Sequence, residues 1–287
     1  VSLNLSYNDD IGRVQIAVTN FPNGTAAVER STNNLYWQTV RGGAALPVAA
    51  GAAAVDDFEF SPDVENFYRV TLTNLEDTVD VFYSSGTWTK PAGLVAAKIT
   101  VVAGGGGGGG AAVTTAGQCS AGNGGAPGGI AISVISAASL GATETVTVGA
   151  LGAGSSGATG VTGGASSFGT HIVVSGGAGG NIIAATTTNT IGNGTVPGST
   201  TSGQVQVRAI PGGACQVFPT ISIARGGFGG SGMFGGGGRG TSNADGESAY
   251  GRGAGGGGAA NAPSQGSART GGSGTAGFVI VEPIFAG

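Results

Sequence analysis

Few side chains in this sequence can do chemistry. The only histidine, His171, precedes Ile-Val-Val, and the two cysteines, Cys119 and Cys215, lie far apart. One imidazole with two thiols and no C-x₂₋₄-C spacing is a poor zinc set. Beyond residue 90 the acids are Glu144, Asp245, Glu247 and Glu282. Asp245 and Glu247 are the one candidate carboxylate pair for glycoside hydrolysis, but their Gly/Ser/Asn surroundings fit a solvated loop better. His171 is most simply a strand residue.

The stretch Lys98-Ile-Thr-Val-Val-Ala runs straight into seven glycines, Gly104–Gly110. A phosphate-binding loop would need a Lys and a Ser/Thr after the last glycine. Both lysines, Lys90 and Lys98, precede the run. A dinucleotide fingerprint would need an amphipathic helix next and an acid about 20 residues on. Ala-Ala-Val-Thr-Thr-Ala-Gly follows instead, and no acid occurs between Asp80 and Glu144. No catalytic residues, cofactor or metal are expected.

The elements that position these residues divide into two chemistries. Only six of the 62 glycines fall in residues 1–90. That segment carries 11 acidic and 5 basic side chains, whereas residues 91–287 carry 4 and 6. Neither part is basic enough to make nucleic acid a natural partner. No window of about 18 apolar residues suggests a membrane span. Val1 opens a strand pattern rather than a signal peptide, and with Met233 the only Met, removal of an initiator Met is expected. The expected domains are residues 1–85 and 86–287.

The first part alternates with period two. Val1, Leu3, Leu5 and Tyr7 share one strand face, and Val14, Ile16 and Val18 another, with a turn at Asn8-Asp9-Asp10. Phe21-Pro22-Asn23-Gly24 is turn chemistry. Strands are expected at Ala27–Arg30, Tyr36–Val40, Phe58–Phe60, Phe67–Leu72 and Val79–Tyr83. Seven short strands without helical periodicity predict a small antiparallel β-sandwich. A buried Trp37 and Tyr68 would serve its core, with Arg30 and Arg41 at edges or on the surface.

In the second part, strand-like segments interrupt the glycines at Gly129–Ile135, Thr145–Val148, His171–Val174, Gln204–Val207, Thr220–Ile223 and Gly277–Val281. A flexible linker would not contain them. The glycine runs at Gly104–Gly110 and Gly235–Gly238 are expected to be extended and polyproline-like. Copies of such a three-residue-per-turn helix can pack side by side when no Cβ intervenes, and seven residues would span about 22 Å. The fold class is thus all-β: a small antiparallel sandwich followed by a glycine-rich, polyglycine II-like domain.

Glu29-Arg30-Ser31, Trp37, Val40 and Glu65–Val70 resemble a fibronectin type III module. The stretch Gly86-Thr87-Trp88-Thr89-Lys90-Pro91-Ala92-Gly93, followed by Ile99–Val102 and the glycine run, resembles the entry to the glycine-rich domain of tailed-bacteriophage tail fibres and minor tail proteins. Glu144–Ala150, Ser166-Ser167-Phe168-Gly169, Gly176–Gly180 and Gly277–Glu282 resemble the same domain. The Cys119 segment and the Thr/Asn-rich stretch 183–203 look like additions to it. The resemblance implies a non-enzymatic protein of the distal tail, assembled in the host cytoplasm, with the sandwich as its attachment domain. It also implies a homotrimer, contact with other tail-tip proteins, and a host cell-wall polysaccharide or surface polymer as receptor. A purely structural spacer is the alternative.

Two local questions remain open in the sequence. Cys119 and Cys215 either form a disulfide or are small buried apolar residues. Phe228, Phe234 and Tyr250 are large rings among glycines. They either plug gaps between chains or stand exposed as receptor-binding residues, with Arg239 and Arg252 available to an anionic polymer.

Overall fold

The computed structural model describes residues 2–8, 12–21, 24–75, 79–91, 93–200 and 202–285. Val1, the turn residues Asp9-Asp10 and Pro22-Asn23, and Ala92 of the Gly86–Gly93 stretch lie outside them. The chain is all-β, and its only helical pieces among the described residues are three-residue 3₁₀ turns at Ala137–Ser139 and Pro219–Ile221.

The first part holds β1 (Ser2–Asn8), β2 (Arg13–Thr19), β3 (Gly24–Ser31), β4 (Gln38–Thr39), β5 (Leu46–Val48), β6 (Ala52–Asp57) and β7 (Phe67–Leu75). The second holds β8 (Asp80–Phe82), β9 (Gly86–Thr89), β10 (Leu94–Val102), β11 (Cys119–Gly122), β12 (Ile130–Ser136), β13 (Thr143–Thr147), β14 (Ser166–Phe168) and β15 (Ile172–Val174). It continues with β16 (Ile182–Thr186), β17 (Thr190–Ile191), β18 (Val205–Val207), β19 (Gln216–Phe218), β20 (Ile223–Arg225), β21 (Ala260–Asn261) and β22 (Phe278–Phe285).

In the first part, β1-β2-β6 form one antiparallel sheet, and β3 pairs with β4, β5 and β7 in another. Ile16 and Val18 from one sheet meet Ala26, Val28, Leu46 and Val48 from the other in a single apolar core. Three local expectations fail here. Trp37 is half-buried and lies under the Arg69 guanidinium, 4.3 Å from its ring centroid. Phe58–Phe60 is not a strand, since β6 ends at Asp57 and Phe58 is exposed. Arg30 is not a surface residue: its side chain is 14% exposed and grips the buried Asp57 at 2.8 and 3.0 Å. A buried carboxylate needs such a partner, and the Tyr68 hydroxyl donates to it as well.

In the second part, a five-stranded sheet runs β18-β12-β10-β22-β8, and a four-stranded one runs β15-β14-β13-β9. β8 therefore belongs to the sheet built by β10 and β22. Ile99, Val101, Val279 and Val281 of the first sheet pack on Trp88, Val146, Phe168, Ile172 and Val174 of the second. The stretches that suggested a resemblance form this junction. Trp88 and Phe168 are in ring contact at 5.6 Å. Buried Ser166 donates to the Val102 carbonyl at 2.8 Å and accepts from Gly149 N–H, where β10 gives way to glycine. Of the expected strands, Thr220–Ile223 is shifted: Pro219–Ile221 is a 3₁₀ turn, Ser222 has φ +55°, and β20 starts at Ile223.

Beyond the sheets the glycine segments pack as extended helices. Ala103, Gly106 and Gly109 donate to Gly129, Ala126 and Asn123; Gly104, Gly107 and Gly110 donate to Gly164, Val161 and Ala158. Gly105, Gly108 and Ala111 donate to Thr275, Gly272 and Arg269. The acceptors thus rotate among three antiparallel neighbours with a three-residue period, the signature of a threefold polyglycine helix. Carbonyls of the same run accept from Gly152, from Gly177 and Gly180, and from Gly256 and Ala259. Six segments of one chain surround Gly104–Gly110. No second copy is needed to complete the bonds of this run. The second expected run begins later, because Gly235 closes a two-residue turn over Met233 and Phe234, with Gly232 as its partner.

Candidate functional site

The hydrogen-bond directions give the lattice two ends. Gly104 leaves β10, so the start of its run is the sheet end and Ala111 marks the far end. Six connecting segments gather at the far end: 112–122, 155–157, 182–195, 214–225, 242–245 and 260–268, because Asn123, Gly157, Asn181, Gly213, Thr241 and Ala259 all bond at that level. Two small sheets brace them, β16-β11-β21 and β17-β19-β20. Between the sheets lies a core of Cys119, Ala121, Cys215, Val217, Ala224 and Ala260. The Cys119 segment and the 183–203 stretch thus combine: Cys119 pairs with Thr186 and Ala121 with Ile183. Both thiols are free and buried. Burial pushes the Cys215 thiol up to about 11 and raises Cys119 too. Asn123 fixes the register here, its amide donating to the Asn193 carbonyl while its oxygen accepts from Cys215 N–H.

The far-end surface is polar and nearly uncharged. Arg225 and Asp245 are the charged residues in those six segments, and Arg269 borders them opposite Ala111. Ile191 and Ile221 stand 60% and 64% exposed. Ser222, Asn243 and Ser264 hold positive φ there, and Asn and Ser tolerate such turns because their short side chains bond locally.

The model of a family described as a glycine-rich domain matches residues 80–283 of this chain. The chain belongs to that glycine-rich domain family. Comparison with curated proteins finds no match. The match opens on the first residue of β8 and ends within β22, the two strands that pair at the sheet edge.

The expected receptor residues sit elsewhere on the glycine-rich domain. Phe234, Tyr250 and Arg252 line one shallow depression of about 500 Å³ with Leu151, Thr275 and Ala276. It lies at the sheet end, not among the far-end loops. Phe234 is 40% exposed and meets Phe278 edge-on, with centroids 5.0 Å apart. Phe278 also contacts Tyr83, and the Arg252 guanidinium stacks 4.6 Å above the Tyr83 ring. Phe228 is exposed, and among the described residues no ring contact joins it to this group.

Arg239 is not free for an anionic ligand, since Glu247 takes bonds from it at 2.6 and 3.1 Å. Glu247 also accepts from the Tyr250 hydroxyl. These bonds hold the Glu247 carboxyl below its ordinary range, Arg239 first and Tyr250 second. Sequence reasoning missed this role for Glu247. Its one signal was the spacing of Arg239, Glu247 and Tyr250 across a short loop.

The other candidates for chemistry are also engaged. His171 sits in a turn rather than a strand, its Nε2 3.2 Å from Glu144 Oε1. That oxygen already accepts from Gly141 N–H. Asp245 accepts from Thr270 N–H. Asp245 and Glu247 thus each have hydrogen-bond partners of their own.

Proposed function

We propose that the chain is a minor tail protein of a tailed bacteriophage. It sits at the distal tail tip or fibre, is non-enzymatic, and contributes to recognition of the host surface. The observation that carries this reading is the glycine lattice: segments bonded along their length hold six connecting loops at one end, with little charge among them. Such a scaffold positions contact residues without a large apolar core, and recognition residues are concentrated on loops held by rigid frames. The stretches Gly86–Gly93 and Ser166–Gly169, which resemble phage tail proteins, add the location. On this reading the sandwich attaches the chain to other tail-tip proteins, the copies form a homotrimer, and the receptor is a cell-wall polysaccharide or surface polymer. The engagement of His171, Asp245 and Glu247 supports the non-enzymatic role.

One observation favours the structural-spacer reading. Val205, Ile132, Thr100, Ile280 and Val81 form a cross-strand row on the face of the five-stranded sheet turned away from its core, and Val81 and Val205 are exposed. An apolar face of this kind suits burial in an assembly. Deleting residues 80–287 from the virion protein separates the readings. Host recognition predicts assembled tails whose adsorption falls at least about tenfold, since tenfold is the loss of one good charged contact. Tails that fail to assemble favour the spacer; assembled tails with unchanged adsorption refute recognition.

A further inference from the structure

The depression at the sheet end has an apolar side and one uncompensated charge. Leu151 and Tyr250 stand 47% and 72% exposed, with Phe234 between a free face and the Phe278 edge. The Tyr250 ring is pinned by its hydroxyl bond to Glu247. The backbone beneath cannot accommodate larger residues: a Cβ on Gly251 would meet Gly235 Cα at 2.3 Å. These rings therefore present a fixed surface, which lowers the ordering cost of binding. Glu247 is the acid of this neighbourhood, and Arg239 answers its charge. Arg252 is different. Its guanidinium carbon lies over the Tyr83 ring, and among the described residues no carboxylate or carbonyl accepts from it. A guanidinium held over a ring with its donors unspent matches a carboxylate or phosphate. Exposed rings beside it match the apolar face of a sugar.

We infer that this depression binds an anionic sugar residue of a surface polymer. The sugar ring lies on Tyr250, with Leu151 and Phe234 closing the apolar side, and its acidic group pairs with Arg252. The inference rests on reading the chain as a host-contacting protein; it adds, at the sheet end and apart from the far-end loops, a second contact surface and names the class of polymer bound there. It assigns no such role to Phe228 or Arg239.

Calorimetric titration of the full chain with three probes tests it: a glucuronate-containing oligosaccharide, a glycerol-phosphate-linked sugar oligomer, and a neutral oligosaccharide of equal length. One anionic probe is expected to bind at least about tenfold more tightly than the neutral one. Which of the two does so distinguishes a uronate from a phosphate source. Arg252→Gln should abolish the preference, and Tyr250→Ala should weaken binding of the preferred probe at least about tenfold, both with melting unchanged. Equal affinity for charged and neutral probes, a preference that survives Arg252→Gln, or no binding by any probe at millimolar concentration overturns the inference. Each of these leaves the deletion assay for adsorption to stand or fall separately. Unchanged adsorption on deletion, with the probe preference intact, would remove the host-recognition reading and keep the site.

Discussion

Asp57 is 1% exposed and takes two bonds from Arg30, one from the Tyr68 hydroxyl and one from Glu59 N–H. Burial, reinforced by the bond to Asp57, pushes the Tyr68 phenol upward. Removing one partner of a buried ion pair leaves the other charge stranded, which costs about 3–5 kcal/mol. Asp57→Ala should therefore destabilise the sandwich by about 3 kcal/mol or more in urea unfolding, and a loss below about 1 kcal/mol would show that Arg30 finds water instead. Glu247 makes a different case, on the surface. Its carboxyl is lowered by Arg239 and Tyr250, so its contribution is complete at neutral pH and is lost only as pH falls through that lowered value. The Tyr250 ring resonances should move with an acid midpoint below that of an unpaired glutamate, and Glu247→Gln should erase the transition. A midpoint at or above the ordinary range would dissociate the carboxylate from both partners.

Within a glycine segment, identical residues have opposite tolerances. A Cβ on Gly108 would lie 2.0 Å from the Gly257 carbonyl oxygen, whereas one on Gly236 meets nothing within 4 Å. Backbone cannot yield as a flexible side chain can, so Gly108→Ala should cost about 3 kcal/mol or more, while Gly236→Ala should fall within about 0.5 kcal/mol of neutral. Equal effects in thermal melts would mean that the lattice is looser than drawn. The contrast also marks the limit of what the sequence shows. Alternation revealed β10, β12 and β22, and a glycine run after a strand revealed an extended helix. Which segments become its six neighbours is unreadable in residues without side chains, because the pairing is carried by backbone groups that every residue has. Thr220–Ile223 alternates like a strand, yet Pro219 opens a 3₁₀ turn there. Arg30 looked like a surface residue because its acid partner is 27 positions away. The rings and arginines of the depression were legible as residue types, but their grouping with Tyr83 and Phe278 was not.

At the scale of the whole molecule, the question is what compensates for ordering so much glycine, the residue that loses most chain entropy on folding. Within this chain the compensation is local and complete around the central run: nine consecutive N–H groups from Ala103 to Ala111 find acceptors in the same chain. The sheets frame it at one end, and the Cys119–Cys215 core closes the other. A lattice of this kind makes its interior bonds within one chain. A lattice completed by neighbouring copies would behave otherwise, because association stabilises by mass action. The expected result is that, diluted until light scattering detects only single chains, the glycine-rich domain still melts cooperatively, with a midpoint that no longer changes on further dilution. If copies do assemble, their contacts then lie outside the lattice interior. Loss of the cooperative transition once the copies separate would instead mean that the six-neighbour arrangement is finished by a second copy, and that the single-chain lattice is not stable alone.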